Sequence, residues 1–122
     1  MKKIFITSAA LFASISQADI IKCSFTEPFI SSTYSTTQST LTYVGFDLNK
    51  VIKNVSFQIK SAGVFELVSH GKVIQTLTLN HQGSNGMSDT IYPFEVKDQS
   101  GIMNANVGFG GCVSNQLKSK KQ

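Results

Sequence analysis

Two cysteines, Cys23 and Cys112, lie near the opposite ends of this 122-residue chain. In a small exported protein such a pair is expected to form a disulfide, because the compartments outside the cytosol are oxidising. A bridge between them would close a loop of nearly the whole folded part. The chain-entropy relation gives a loop of that length about 4 to 5 kcal/mol of stabilisation. The alternative is two free, buried thiols.

The expectation of export comes from the first eighteen residues. Two lysines precede a mostly apolar run over residues 4–15, which is too short to span a membrane. Ser16 and Ala18 then supply the small side chains that a signal peptidase reads. We therefore predict a cleavable signal peptide over residues 1–18, a mature chain that begins at Asp19, and a periplasmic or secreted protein.

The mature chain suits one domain and carries little net charge. Removal of 18 of the 122 residues leaves 104, and we expect a single β domain over residues 19–115 with a disordered polar tail over residues 116–122. All eleven basic residues are lysines, two in the signal and three in the tail, which leaves six against seven acids in the folded part. The lack of arginine and the near-neutral body argue against nucleic-acid binding. No membrane-spanning segment is expected after cleavage, and we expect a monomer.

The pattern of apolar residues predicts strands throughout the mature chain. Short runs of β-branched and aromatic residues alternate with polar ones, and Gly, Asn, Asp and Ser separate the runs. Alternation over residues 21–25 places Cys23 on a buried face, and residues 55–59 give the clearest half-buried strand. The Ser- and Thr-rich residues 33–42 predict an exposed edge or a long hairpin. Residues 45–53 are expected to form a connection.

Turn signals complete the predicted fold. His70 and Gly71 mark a two-residue hairpin turn, and residues 81–89 form the most loop-like segment. Gly110 and Gly111 in the last strand indicate sharp curvature or close backbone approach. Seven or eight short strands, joined mostly as neighbours, favour an all-β antiparallel meander barrel or a sandwich, with the barrel preferred.

Three short motifs resemble a known family. They are Thr26-Glu27-Pro28-Phe29, the segment 85–89 (NGMSD) leading to Tyr92-Pro93-Phe94, and Gly110-Gly111-Cys112. Together they resemble an uncharacterised family of bacterial envelope proteins with a Glu-Pro-Phe-Trp motif, an Asp-Gly-Met-Ser segment followed by Tyr-Pro, and a closing Gly-Cys. Members often occur beside META-type or lysozyme-inhibitor-type domains. The resemblance implies an all-β fold and supplies no established activity.

The chain departs from the family pattern at three places. Ile30 stands where the family tends to have Trp, and Asn85 stands where it tends to have Asp. The cysteine that often precedes the family's Asp-Gly-Met-Ser segment is absent. If that cysteine is the usual partner of the terminal one, Cys23 replaces it here as the partner of Cys112.

The same motifs supply the candidate binding residues. Conformationally demanding residues are concentrated in one long loop on a plain β scaffold, which is where such proteins usually place recognition. The candidates are Glu27, Met87, Ser88, Asp89 and Tyr92. Each also has a structural interpretation: Glu27 as a backbone cap or a solvated carboxylate, Met87 as an inward peg, and Tyr92 as edge packing.

Catalytic and metal-binding patterns are weak. His70 lies in a predicted hairpin turn and His81 at the start of a loop, so neither is brought near a serine and an acid by sequence alone. The stretch with His81, Asn85 and Asp89 lacks the alternating acids and final glutamate of a calcium loop. We expect no enzymatic activity, no metal and no cofactor.

The leading functional hypothesis is a non-enzymatic exported binding module that acts on another protein. Its specific version is inhibition of a lysozyme, because Ser88 and Tyr92 lie in a loop similar to the Ser-Gly…Tyr stretch of known lysozyme inhibitors. The alternatives are a carrier of a small apolar ligand in a barrel cavity and a structural envelope protein without a discrete ligand. Convergence of Glu27, Met87, Asp89 and Tyr92 on one surface would favour recognition.

Overall fold

The computed structural model describes residues 19–25, 29–86, 88–102 and 107–115, and these contain nine β-strands. The strands are β1 (Ile20–Phe25), β2 (Ser31–Ser35), β3 (Thr40–Gly45), β4 (Leu48–Ile52), β5 (Ser56–Ser61), β6 (Val64–Ser69), β7 (Lys72–Gly83), β8 (Tyr92–Asp98) and β9 (Gly108–Ser114). Within the described part, no helix is long and apolar enough to cross a membrane. The predicted signal peptide and C-terminal tail lie outside the described residues.

The nine strands form one curled, half-barrel sheet in the order β4-β3-β2-β1-β9-β8-β7-β6-β5. Every pair of neighbours is antiparallel, and all neighbours except β1 and β9 follow each other in the chain. The first and last strands therefore meet in the middle of the sheet. Cys23 and Cys112 lie directly opposite each other there and form the predicted disulfide.

The sheet is open between β4 and β5. With nine strands and antiparallel neighbours throughout, the two end strands run in the same sense, so they could close a barrel only as a parallel pair. Parallel strands that follow each other in the chain need a crossover of about a dozen residues or more, whereas three residues, 53–55, connect β4 to β5. The short connection therefore keeps the sheet open at this seam.

The concave face of the sheet holds the core. Alternate residues of the strands point inward, and the largest fully buried apolar side chains are Ile21, Phe25, Tyr34, Leu41, Tyr43, Leu67, Leu77 and Phe94. The curl brings β2 and β3 against the strands from β5 to β8. The rings of Tyr34 and Phe57 stack with centroids 6.5 Å apart, and those of Phe57 and Phe65 with centroids 5.5 Å apart. The core thus joins the first four strands to the last five.

Glycine permits the tight curl at β9, as its sequence indicates. A Cβ atom at Gly110 would lie 2.1 Å from the backbone oxygen of Ser24 on β1. Only a residue without a side chain allows β9 to approach β1 this closely. The predicted turn at His70 and Gly71 is also confirmed, and both residues have positive φ.

Two expectations are corrected, and one open alternative is decided. The described residues form nine strands instead of seven or eight, because residues 48–52 form β4 where only a connection was expected. The segment 33–42 lies in the β2–β3 hairpin, as one of its two interpretations predicted, and these strands are internal to the sheet instead of an edge. The half-buried strand expected over residues 55–59 is an edge strand, so Ile59 is 69% exposed while Val55 is buried.

Candidate functional site

The structure describes three of the five candidate binding residues, and they lie within residues 88–92, which run from the β7–β8 loop into the start of β8. Ser88 and Asp89 are exposed in the loop, and Tyr92 is half-buried at the start of β8. Glu27 and Met87 lie outside the described residues. Of the four residues whose convergence would favour recognition, only Asp89 and Tyr92 are described, so their convergence stays a hypothesis. Ser88 and Tyr92 share a hydrogen-bond partner, and Asp89 follows Ser88 in the exposed loop.

Asn85 is the shared partner, and it organises this loop. Its side-chain Nδ2 donates a hydrogen bond to the hydroxyl of Tyr92 over 3.2 Å. Its Oδ1 accepts from the backbone N–H of Ser88 over 3.1 Å and from the Ser88 hydroxyl over 3.3 Å. Asn side chains commonly stabilise turns in this way. Asn85 thus has a structural role in shaping the loop.

The ring of Tyr92 covers Gly111 on β9. A Cβ at Gly111 would lie 2.6 to 2.8 Å from atoms of the Tyr92 side chain. Because Cys112 points into the core, the alternation of the strand directs Gly111 to the outer face, so the ring lies on that face. A Cβ at Gly83 would lie 2.9 Å from the Cα of Gly111. The end of β7 and the start of β8 therefore fold back onto the outer face of the sheet.

A shallow groove of about 220 Å³ adjoins this region on the outer face of β7, β8 and β9. The residues that line it are Thr76, Thr78, Glu95, Val96, Lys97 and Phe109. Thr76, Lys97 and Phe109 form one cross-strand row, and Thr78, Glu95 and Gly111 form the next. Gly111, which carries the Tyr92 ring, is thus the neighbour of Glu95. The groove and the loop form one continuous surface, which we call the loop–groove surface.

The loop–groove surface combines an exposed ring with groups of both charges. Phe109 is 52% exposed, which leaves an aromatic face available to a partner. Glu95 accepts a hydrogen bond from Asn80 Nδ2 over 2.9 Å, so its carboxylate has a partner on β7, and Lys97 is exposed beside it. Such a surface can contact apolar, hydroxyl and charged groups of a partner.

Neither a catalytic triad nor a metal centre is seen in the described part of the chain. Ser69 Oγ and His70 Nδ1 are 3.2 Å apart, but they are sequence neighbours: Ser69 is buried at the end of β6, and His70 is exposed in the turn that follows. No acid is found to orient the imidazole there among the described residues, as a nucleophilic triad requires. The same residues contain no group of three or more His, Cys, Asp or Glu side chains that could hold a metal ion.

A buried polar cluster is the feature that sequence reasoning missed. The carboxylate of Asp98 accepts hydrogen bonds from the hydroxyl of Tyr43 over 2.5 Å and from Gln75 Nε2 over 3.0 Å. The backbone N–H and the hydroxyl of Ser100 donate to its other oxygen, and Gln75 Nε2 also approaches Ser32 Oγ at 3.2 Å. Burial, together with the negative charge of Asp98, raises the pKa of Tyr43 well above its usual value.

This cluster connects strands across the interior. Ser32 and Tyr43 belong to β2 and β3, whereas Gln75 and Asp98 belong to β7 and β8. Asp98 and Gln75 are almost completely buried, and Gln75 Oε1 has no hydrogen-bond partner among the described residues. Because the groups lie inside the core, the cluster stabilises the curled sheet and does not form an accessible binding site.

Comparison with known proteins identifies no relative of this chain. No family model, no curated protein and no solved structure matches it.

Proposed function

We propose that this protein is an exported, non-enzymatic binding module that recognises another protein through the loop–groove surface. The supporting observation is the continuity of the Asn85-ordered loop with the groove, where Tyr92 and Phe109 lie on one face with Glu95 and Lys97. Aromatic residues are enriched in protein interfaces, where a polar rim surrounds them. The buried disulfide is compatible with an oxidising compartment outside the cytosol.

The specific version of the proposal is inhibition of a lysozyme. Its support is the loop that carries Ser88 and Tyr92, together with the resemblance to envelope proteins found beside lysozyme-inhibitor-type domains. Tyr92 holds the loop against Gly111, so the exposed Ser88 is presented next to the groove. The hydrogen bonds of Asn85 reduce the freedom of the loop before binding, which lowers the entropic cost of association.

The carrier hypothesis receives less support. A small apolar ligand would have to occupy the concave side of the sheet, where a barrel cavity was expected. That space is filled by fully buried side chains, among them Tyr34, Tyr43 and Phe94. Because the core is closely packed, a ligand could enter only by displacing these side chains.

A lysozyme assay with matched variants tests the specific version. Purified mature protein is added in excess to a lysozyme, and clearing of a bacterial suspension is followed by turbidity. We expect inhibition that is weakened by Phe109→Ala and by Tyr92→Ala, and that is unchanged by Phe46→Ala. Phe46 is the matched control because it is 95% exposed in the turn between β3 and β4, away from the groove. Undiminished lysozyme activity at excess protein would exclude this version.

The broader proposal has a separate test. A photo-crosslinking amino acid is placed at position 97 in the groove or at position 72, the first residue of β7, and each protein is exported to the cell envelope. Both positions hold exposed lysines, so the substitutions are comparable. We expect one discrete crosslinked protein from position 97 and none from position 72. The absence of a discrete product from position 97 would contradict recognition through this surface.

A further inference from the structure

The strand β4 forms one edge of the open sheet. It pairs with β3 on one side, and no described strand pairs with it on the other. Its outward backbone N–H and C=O groups therefore form a row of donors and acceptors that an extended chain can match. β4 remains an edge strand because the three-residue connection to β5 keeps the sheet from closing.

The other edge strand, β5, is less suited to accept a strand. Its pairing with β6 shifts in register between Ile59 and Ser61, which marks a bulge. Bulges twist and interrupt an edge, and natural proteins use them to prevent strand addition. In contrast, the pairing of β4 with β3 is regular from Leu48 to Ile52. The two edges thus differ, and β4 retains a continuous one.

Exposed apolar side chains surround β4. Val51 on the outer face of β4 is 51% exposed, and Val44 on the outer face of β3 is 50% exposed. On the concave face, Leu48 and Ile52 are only half-buried and pack against the core. A strand added beside β4 would cover Val51 and extend the core beyond Leu48 and Ile52. An incoming strand therefore needs apolar residues opposite these three positions.

Lys50 at the centre of β4 determines the charge of the partner. It is exposed on the concave face, directly opposite Tyr43, and Lys53 follows the strand. An antiparallel second copy centred on this strand would place two Lys50 side chains opposite each other, and like charges in that arrangement are destabilising. A carboxylate opposite Lys50 is favourable instead. The charge thus disfavours self-association and favours an acidic residue in a different protein.

We propose that β4 binds an extended segment of another protein by strand addition, with an Asp or Glu opposite Lys50 and apolar residues opposite Leu48, Val51 and Ile52. The segment continues the sheet through backbone hydrogen bonds, which supply affinity, while the acid supplies selectivity. This surface is separate from the loop–groove surface, and the proposal does not depend on it.

Synthetic peptides provide the test. The probe is an antiparallel match to β4 with the central sequence Val-Val-Glu-Thr-Val and soluble flanks, and the matched peptide has Lys in place of Glu. Binding to the mature, disulfide-bonded protein is measured by titration calorimetry and by NMR shifts of β4. We expect the Glu peptide to bind up to about five-fold more tightly than the Lys peptide. The Lys50→Glu variant should reverse this preference.

Two controls separate strand addition from other contacts. A Glu peptide with alternate backbone nitrogens methylated cannot donate ladder hydrogen bonds and should not bind. Phe109→Ala should leave peptide binding unchanged, whereas it weakens binding through the loop–groove surface. The proposal is overturned if neither peptide binds, if Glu and Lys peptides bind equally, or if methylation has no effect. It is also overturned if the protein forms a dimer through β4, as light scattering and NMR would show.

Discussion

The three tyrosines of this chain provide a graded test of the buried polar cluster, because one substitution, Tyr→Phe, removes a hydroxyl from three different environments. The hydroxyl of Tyr43 donates to the buried carboxylate of Asp98. That of Tyr34 donates to the backbone oxygen of Val55 over 2.7 Å in the core. That of Tyr92 accepts from Asn85 in a half-exposed loop.

The expected losses follow from these partners. A hydrogen bond to a charged group contributes about 1.5 to 3 kcal/mol, so Tyr43→Phe should lower the free energy of unfolding by about 2 kcal/mol. A neutral hydrogen bond contributes about 1 kcal/mol, which is the expected cost of Tyr34→Phe. Water can replace the partner of Tyr92, so Tyr92→Phe should cost less than about 0.5 kcal/mol. For a domain of this size, the Tyr43 loss corresponds to a decrease in Tm of about 8 to 16 °C.

Urea unfolding of the mature, oxidised protein, followed by circular dichroism, measures these differences. A double-mutant cycle with Asp98→Asn should give a coupling free energy of at least about 1 kcal/mol with Tyr43→Phe and close to zero with Tyr92→Phe. If Tyr43→Phe costs no more than Tyr92→Phe, the hydroxyl of Tyr43 does not stabilise the fold and the description of the cluster is wrong.

Three further predictions follow from the structure. Burial raises the pKa of Tyr34 and Tyr43 in the folded state, so above about pH 10 the unfolded chain loses these protons more readily than the folded one. The free energy of unfolding should therefore be unaffected by these groups below about pH 10 and should fall above it. Urea unfolding at alkaline pH should show a smaller fall for Tyr43→Phe. Replacing Cys23 and Cys112 together by serine should lower the free energy of unfolding by about 4 to 5 kcal/mol, measured against the oxidised protein; a loss below about 1 kcal/mol would contradict the entropic estimate. Gly110→Ala places a Cβ 2.1 Å from a backbone oxygen and should destabilise more than Gly111→Ala, whose Cβ meets the Tyr92 side chain. Tyr92→Gly, which removes both the ring and the Cβ of Tyr92, should relieve only the second; equal effects in thermal unfolding would refute this ranking.

The strands that were predicted from sequence are those whose two faces differ clearly. In β1, Ile21, Cys23 and Phe25 alternate with polar residues and are all buried, as expected. In β4 the alternation is ambiguous, because Lys50 shares the inward face with Leu48 and Ile52 while the apolar Val51 lies on the outer face. An edge strand packs partly against the core and is partly exposed to solvent, so its two faces differ less in sequence. The open seam that makes β4 an edge strand depends on the pairing of all nine strands.

The candidate loop was predicted from sequence, but its neighbours were not. The turn-forming residues around Asn85 indicate a loop by their local chemistry, which a sequence records directly. The position of that loop over Gly111, beside Glu95 and Phe109, depends on how β7, β8 and β9 align. The same limit applies to the buried cluster, because nothing local to Gln75 or Asp98 indicates that Tyr43 lies opposite them across the core.

The open seam explains why the interior contains so many polar contacts between distant strands. On one side, β1 and β9 join the first four strands to the last five through a backbone ladder and the Cys23–Cys112 disulfide. On the seam side there is no such ladder. Among the described residues, one backbone hydrogen bond, from the N–H of Val55 to the oxygen of Ser39 over 2.8 Å, joins the two groups there, and the other hydrogen bonds that span them come from side chains. Tyr34 reaches Val55, and Tyr43 reaches Asp98.

The β1–β9 connection and the side-chain contacts at the seam should therefore be weakened independently of each other. Reduction of the disulfide leaves the β1–β9 ladder and the core contacts in place, whereas loss of the Tyr43 hydroxyl loosens the seam and leaves the disulfide intact. Hydrogen exchange should accordingly increase at β4 and β5 in Tyr43→Phe, and at β1 and β9 in the reduced protein. Equal increases at all four strands in both cases would show that the sheet opens as one unit, and that the seam is not a separate region of low stability.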